Sequence, residues 1–320
     1  MIGDSIFLDN IPMKGNIIHK SEAVLLTLVS SLFISCVTGT NINFLLEQGG
    51  KSFSDARLEN ADMSGKSLTG KNFSRADLRN ANLSGADLTG AVLTGADLRG
   101  ANLHKAVLIK ADLSSARIYR ADLSESNLAG ANLDRADLMM AKLTDANCEN
   151  AIFSNADMSG AEMPRANLAG ANFSGSLFFG TNMSGANLAR INLNNARIHF
   201  SELRACDFTD AQLYRADLRH VNLSGANLQN SRLSSTLLAG ADFTGADLRN
   251  ADLSNTDLSG VEFNTANLAG ADLSGADLSQ ASLQRIKLSG ANLSRARIHR
   301  KYHPLLLRQN LDLSGIVWIH

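Results

Sequence analysis

The sequence predicts an all-β solenoid with square coils, and three observations support this fold. Every residue whose number ends in 3 or 8 is apolar from Phe53 to Ile298, through 50 consecutive five-residue units. The central residue is Leu in 34 units, and the residue two positions earlier is Ala in 35. A period of five fits neither the 3.6-residue α-helix nor the alternation of a strand. The chain must therefore turn once in every unit.

Each unit places one large and one small apolar side chain inward. A Gly or polar residue then follows, where a tight turn needs a positive φ. Four such units close a square coil of twenty residues. Coils stacked at the inter-strand spacing of about 4.8 Å would give roughly 12 coils and a rod on the order of 60 Å long. Because each coil contacts only its neighbours, stability is shared along the rod.

The repeated unit resembles the motif of the pentapeptide-repeat family. Residues 86–90 read Ala-Asp-Leu-Thr-Gly, and residues 271–275 read Ala-Asp-Leu-Ser-Gly. The resemblance covers about four fifths of the chain and implies a right-handed quadrilateral β-helix. It implies no catalytic residues. Members of the family include DNA mimics that protect gyrase, effectors injected into host cells and proteins of photosynthetic membranes, so the resemblance does not select one function.

Some inward positions depart from the pattern. Lys51, Lys66 and Lys71 occupy the small inward position, where a buried unpaired ammonium would be costly. We expect the first coils to be imperfect, with these lysines escaping at a corner or under the N-terminal segment. Cys148 and Cys206 also stand at inward positions, so we interpret them as packing residues rather than reactive thiols.

Charge composition disfavours two classes of partner. The chain has 30 Lys and Arg against 31 Asp and Glu, and residues 51–300 carry 26 of each sign. A mimic of duplex DNA needs an acidic surface where phosphates would lie, so a gyrase-protecting mimic is disfavoured. Direct binding of nucleic acid is also not expected, because few stacking aromatics stand beside one column of arginines. That column contains Arg75, Arg135, Arg215 and Arg295.

The sequence also lacks the signatures of common catalytic sites. It contains no HExxH, no GxSxG, no phosphate-cradling glycine loop and no paired-cysteine site. His199 and His220 stand one coil apart, but two histidines without a third ligand do not define a metal site. We therefore predict a non-enzymatic protein without metal or cofactor.

One side of the coil differs from the other three. Its central residues are Leu58, Leu78, Leu98 and their successors every twenty positions, and the two positions that follow them carry aromatic, Met and basic residues. Equivalent positions on the other sides are mostly Ser, Thr, Ala and Gly. The candidate site residues on this side are Arg79, Arg99, Tyr119, Arg120, Met139, Met140, Phe179, His199, Phe200, Arg219 and His220.

Two interpretations of this side remain open. The position before the centre alternates between Asp and the four arginines 57, 117, 197 and 297, so opposite charges would stack about 5 Å apart. The side could then be a solvated ionic ladder, in which exposed ion pairs contribute little. Alternatively it binds a protein partner, because aromatic, Met and Arg side chains are enriched at interfaces.

Residues 1–50 have a different composition and form the first predicted segment. Residues 23–46 contain no charge, and residues 23–37 are densely apolar. This run is short for a membrane span but suits the apolar region of a signal peptide. Phe33-Ile34-Ser35-Cys36 loosely resembles a lipoprotein cleavage box, which would lipidate Cys36. Alternatively a helix from Ser21 caps the first coil, or the segment binds a partner.

The last segment, residues 301–320, follows the solenoid of residues 51–300. Tyr302-His303-Pro304 breaks the rhythm, but Leu313 and Trp318 return to it. We therefore predict that residues 299–310 bulge out before a final partial coil closes the rod. The apolar end could instead join two rods as a homodimer, as family members can.

These observations predict a rod-like protein-binding scaffold. It would be membrane-associated or exported if residues 21–46 act as an anchor or signal, and cytoplasmic otherwise. A secreted effector directed at a host, and the DNA mimic, are the alternatives.

Overall fold

A computed structural model describes residues 42, 46 and 49–320. Parallel β-bridges join residues twenty positions apart along the solenoid, from Ser52↔Asn72 to Asp272↔Asn292. Since the chain turns once in each five-residue unit, four units complete one coil. The predicted repeat solenoid is thereby confirmed. Its right-handed winding and its total of roughly 12 coils stay predictions.

The unit around Leu98 shows how the backbone is bonded. The Leu98 N–H donates to the Arg117 carbonyl of the next coil (2.7 Å), and the Gly100 N–H donates to Tyr119 (2.9 Å). The Ala101 N–H returns to the Leu98 carbonyl at 3.0 Å and closes the turn. The residue before the centre also supports the turn, since Asp97 Oδ1 accepts the Arg99 N–H. Asp and Asn recur at this position because their side chains form such local turns.

On one side of the coil the single β-bridges lengthen into short strands. Strand β1 (Leu177–Phe179) pairs in parallel with β2 (Arg197–His199). Strand β4 (Arg297–His299) lies between β3 (Asp277–Leu278) and β5 (Val317–Ile319). All five strands belong to the side that the sequence distinguished from the other three.

The core is a single column of inward side chains. The central Leu and the small Ala of each unit are buried throughout the solenoid, and Phe centres stack on consecutive coils. The Phe153 and Phe173 rings lie 4.4 Å apart and almost parallel. Each buried Leu contributes about 1.5–3 kcal/mol, most of which offsets the conformational entropy lost on folding.

Polar residues at inward positions find backbone partners. Thr181 Oγ1 donates to the Met158 carbonyl at 2.9 Å. As predicted, the lysines of the first coils escape, because Lys51 and Lys66 are exposed and Lys71 Nζ donates to the Gly50 carbonyl at 2.6 Å.

Both cysteines of the solenoid are packing residues, as predicted. Cys148 and Cys206 are buried and free. Burial raises the pKa of each thiol to about 12. Neither forms a thiolate near neutral pH, so neither is a reactive nucleophile.

At the N-terminal end, two described residues pack on the first coils. Ile42 and Leu46 are helical, Ile42 is fully buried in the core, and Leu46 is half-buried against it. The predicted signal or anchor in residues 23–37, with Cys36, lies outside the described residues. Within the described part of the chain, no helix has both the length and the apolarity needed to cross a bilayer.

At the C-terminal end, a 3₁₀ turn (Arg300–Tyr302) and a short helix (His303–Leu307) replace part of a coil. Leu306 of this helix is buried in the core. The phase then returns, because Ile298 pairs with Trp318. The predicted bulge is wrong in one respect. Residues 299–310 do not simply loop outward, since the helix folds across the end of the rod.

Side chains of this C-terminal segment bond to the last full coil. Tyr302 Oη accepts the Leu283 N–H and donates to the Ala281 carbonyl. Gln309 Oε1 accepts the Leu288 N–H at 2.7 Å, and its Nε2 donates to the Ile286 carbonyl. These two side chains therefore supply hydrogen bonds that a further coil would have supplied.

Inserting one Gly after Leu168 should lower the unfolding temperature by more than about 10 °C. The insertion turns every downstream inward side chain out of phase. Thermal unfolding followed by circular dichroism measures the effect. Duplicating residues 169–188, a whole coil, is the matched control and should leave the unfolding temperature nearly unchanged. An unchanged melt after the single insertion would contradict the importance of register.

Candidate interaction face

One side of the coil carries most of the exposed apolar side chains. This side comprises residues 57–60 and the residues stacked on them every twenty positions, and we call it the arginine–aromatic face. Nine large hydrophobic side chains are exposed in the described part of the chain, and six belong to this one side of four. The six are Met140, Leu177, Phe179, Phe200, Leu237 and Val317.

All eleven candidate site residues of the solenoid lie on this face and reach its surface. Four are half-buried: Arg79, Tyr119, Met139 and His199. Seven are exposed: Arg99, Arg120, Met140, Phe179, Phe200, Arg219 and His220. Sequence reasoning missed Leu177 and Leu237. Their signal was present, because each replaces the Asp or Asn that normally precedes the central residue.

The structure joins four of these side chains into one group, which we call the aromatic cluster: Phe179, His199, Phe200 and His220. The Phe179 and Phe200 rings meet edge to face at 5.6 Å. Phe200 stacks on His220 at 5.8 Å with the rings nearly parallel, and His199 lies 6.5 Å from Phe200. Phe179 and Phe200 are each 60% exposed. The cluster therefore presents aromatic faces to solvent rather than to the core.

The next coil leaves room for this cluster. A Cβ built on Gly240 would lie 2.6 Å from His220 Nδ1. Any larger residue at position 240 would therefore displace the His220 ring from its stack with Phe200.

A charged network borders the cluster. His199 Nε2 lies 3.2 Å from Asp217 Oδ2, and Arg219 grips the same carboxylate through its Nε (2.8 Å) and a terminal nitrogen (2.7 Å). Burial acts to raise the pKa of Asp217, but the hydrogen bonds from Arg219 and the charge of His199 lower it overall. Asp217 therefore fixes both His199 and Arg219 in place.

The same bidentate arginine–aspartate ion pair recurs nearer the N-terminus of the rod. Arg79 holds Asp77 at 2.8 and 2.6 Å, and Arg99 holds Asp97 at 2.7 and 2.5 Å. The hydrogen bonds from Arg79 lower the pKa of Asp77. In each pair the arginine stands two positions after the aspartate, where its planar fork matches the carboxylate.

The predicted ionic ladder is present only in part. Arg57, Arg117 and Arg197 do stack against aspartates of neighbouring coils. However, among the four ladder arginines only Arg297 closes an ion pair within the described residues, with Asp277 at 2.7 Å. Elsewhere on this face Asp77, Asp97 and Asp217 are held by arginines of their own unit, each through two bonds, whereas Asp137, Asp157 and Asp257 form no ion pair with any described residue.

A shallow depression of about 290 Å³ lies beside these pairs. Arg79, Arg99, Tyr119 and Arg120 are among the residues that line it. The Arg120 guanidinium lies over the Tyr119 ring at 5.1 Å, a cation–π contact.

The corner of this face carries bulky residues where the backbone favours glycine. Arg120, Met140, Phe200 and His220 have φ of 57°, 60°, 53° and 59°. In the same column Gly180 and Gly240 have φ of 64° and 71°. A non-glycine residue in this left-handed region costs roughly 1–2 kcal/mol. These side chains are therefore held at a cost in stability and are not buried in return.

Among the described residues, no group of three or more His, Cys, Asp or Glu side chains is arranged to hold a metal ion. His199 and His220 both belong to the aromatic cluster, where Phe200 lies against each ring.

Asp217→Asn should destabilise the protein at pH 7 by at most about 1 kcal/mol, because the pair with Arg219 is partly exposed. Since the pKa of Asp217 is lowered by folding, its contribution is present above the unfolded pKa of about 3.9 and is lost as the pH falls through the folded pKa. The difference from wild type should therefore narrow progressively as the pH falls below about 3.9. Denaturant unfolding between pH 7 and 2 measures it, with Asp252→Asn as the control without an arginine partner. A pH-independent difference would contradict the assigned cause.

Phe200→Gly should change the free energy of unfolding by less than about 1 kcal/mol. Relief of the left-handed φ offsets the aromatic contacts that are lost, which are worth about 0.5–1.5 kcal/mol each. The buried Phe208 is the matched control, and Phe208→Ala should cost about 3–5 kcal/mol. Denaturant unfolding compares the two variants. A loss above about 2 kcal/mol for Phe200→Gly would show that the ring serves the fold.

Family models of pentapeptide repeats match most of the chain. One, described as pentapeptide repeats (8 copies), matches residues 52–95, 86–124, 116–160, 141–178, 171–210 and 266–300. Another, described as a pentapeptide repeat region, matches residues 196–273. Together they span residues 52–300 without a gap. Both describe a repeat rather than a catalytic domain. No curated protein matches the chain.

Several solved structures resemble the chain. HetL, a pentapeptide repeat protein involved in heterocyst differentiation regulation from the cyanobacterium Nostoc sp. strain PCC 7120, is 32% identical over 78% of this chain and 94% of its own (TM-score 0.28). Trypsin-treated QnrB1, a plasmid-mediated fluoroquinolone resistance protein, is 23% identical over 57% and 94% (TM-score 0.39). A pentapeptide repeat protein of the Arabidopsis thaliana thylakoid lumen is 23% identical over 47% and 81% (TM-score 0.23). Because the repeat models span residues 52–300, the chain belongs to the pentapeptide repeat family.

Proposed function

We propose that this chain is a non-enzymatic, rod-like scaffold that binds a protein partner through the arginine–aromatic face. The observation that carries this proposal is the gathering of exposed apolar side chains on one side of the rod, which holds six of the nine large hydrophobic side chains exposed among the described residues. Scattered apolar residues are normal on a protein surface, whereas a concentrated patch marks an interaction site.

Backbone conformation supports the same proposal. Phe200 and Met140 are exposed, and each stands at a left-handed corner that glycine fills without strain. Neither side chain fills the core. Non-glycine residues occupy such corners on other sides too, as at Lys105 and Arg165, so it is the aromatic and Met character of these two that favours binding, since such side chains are enriched at protein interfaces.

The charges on the face favour a protein partner over a mimic of DNA. Asp77, Asp97 and Asp217 are each gripped by an arginine of their own unit. A DNA mimic must instead present unneutralised carboxylates in place of phosphates.

We also propose that Ile42 and Leu46 cover the apolar end of the first coil. Ile42 is buried in the core and Leu46 packs against it. A solenoid needs such cover because its terminal coil otherwise exposes an apolar end.

The variant Tyr119→Ser/Phe179→Ser/Phe200→Ser should fold normally but lose its partner. All three rings are on the surface, so unfolding temperature should stay within a few degrees of wild type. Affinity capture from a lysate of the source organism, with quantitative mass spectrometry, compares the two baits. Tyr214→Ser, an exposed aromatic on another side, is the matched control and should keep the partner. Equal recovery by wild type and the triple variant would count against this face.

A further inference from the structure

The arginine–aromatic face has two zones of different chemistry. The first, which we call the arginine zone, consists of Arg79, Arg99, Tyr119 and Arg120, which line the depression, and of Arg117, which lies beside it and lines a neighbouring one with Arg79 and Arg99. The second is the aromatic cluster. Arg120 and Phe200 stand in the same stacked column, four coils apart in the twenty-residue register. At about 4.8 Å per coil the two zones are separated by roughly 19 Å along the rod.

The arginine zone carries a surplus of positive charge. Arg79 and Arg99 are neutralised by Asp77 and Asp97, and Glu59, which also lines the depression, pairs with Arg79 at 3.2 Å. In contrast, Arg117 and Arg120 are exposed and form no ion pair with any residue of the described part of the chain. The cation–π contact of Arg120 with Tyr119 orients its guanidinium without neutralising it. This zone is therefore complementary to carboxylates.

The backbone of the face restricts what can lie on it. The amide and carbonyl groups are already bonded between coils, as Leu98 to Arg117 and Gly100 to Tyr119 show. An extended peptide would find no free strand edge to pair with along the side of the rod. An α-helix satisfies its own backbone and needs only side-chain contacts.

We propose that the partner presents an amphipathic α-helix to this face. Its apolar side chains pack on the aromatic cluster, and its acidic side chains contact Arg117 and Arg120. This inference rests on the proposed function and specifies the partner's chemistry. At a rise of 1.5 Å per residue, 19 Å corresponds to about 13 helical residues. The acidic and apolar groups of the partner helix are therefore separated by about 13 positions.

A displayed library of helical peptides tests this inference with the full chain as the target. The peptides are about 24 residues long, with randomised residues along one helical face. Enriched sequences should carry Asp or Glu about 13 positions from a pair of large apolar residues. Because the charge contacts are solvent-exposed, binding should weaken as salt rises.

Charge reversal provides the decisive comparison. The variant Arg117→Glu/Arg120→Glu should bind the peptides that were selected on the wild type with an affinity lower by about tenfold or more. Selection on this variant should enrich Lys and Arg at the acidic end and leave the apolar end unchanged. Arg285→Glu is the matched control. Arg285 is exposed at an equivalent left-handed corner (φ 55°) on another side, so its reversal should have no effect.

The outcomes separate this inference from the proposed function. Peptides that require Phe200 but show no acidic preference would overturn the helix inference and leave the face as a binding site. Peptides unaffected by Phe179→Ser/Phe200→Ser, or no selected peptide at all, would count against both. A fluorescent single-stranded oligonucleotide whose binding depends on Arg117 and Arg120 would assign the arginine zone to nucleic acid and overturn the inference.

Discussion

The fold depends on the burial of one large and one small side chain in every five residues. At Leu98 and Ala101 the same unit also bonds its backbone to the next coil and closes a turn. The inward residues thus fill the core, and the Asp or Asn before the central residue supports the turn. The side chains at the two positions after the central residue are not needed in the core, and the second position favours glycine because of its left-handed φ. Unusual residues at those positions therefore carry information about function, which is seldom so directly visible in a globular domain.

The difference between inward positions and the positions after the central residue explains which parts of the structure could be predicted. The inward phase from Phe53 to Ile298, the lysines at the first corners and the return at Trp318 follow from periodicity and the cost of burying charge. The two-bond ion pair between Arg219 and Asp217 could not be predicted from periodicity. It depends on the side-chain directions around a turn rather than on stacking between coils. The hydrogen bonds of Tyr302 and Gln309 could not be predicted either. They occupy backbone groups of the last full coil that another repeat would otherwise have bonded.

The candidate face was predicted in composition but not in detail. Columns of stacked residues identified Phe179 and Phe200, because a twenty-residue period places them one coil apart. The contact of their rings depends on the left-handed corner at Phe200, which turns that side chain toward the neighbouring coil. Leu177 and Leu237 were not predicted, because they stand in the column before the central residue, where the Asp and Arg residues indicate an ionic ladder. They extend the apolar surface along the rod on the side that already carries the cluster.

A solenoid of this kind also acts as a ruler. The distance between Arg120 and Phe200 is set by four intervening coil spacings, and each spacing is fixed by the hydrogen bonds between coils. Neither zone is a deep pocket, so selectivity cannot come from enclosing a ligand. In the proposed complex, selectivity would come instead from matching two distant contacts at once. A rigid rod would lose little conformational entropy in making the second contact after the first, so two weak sites would act as one interface.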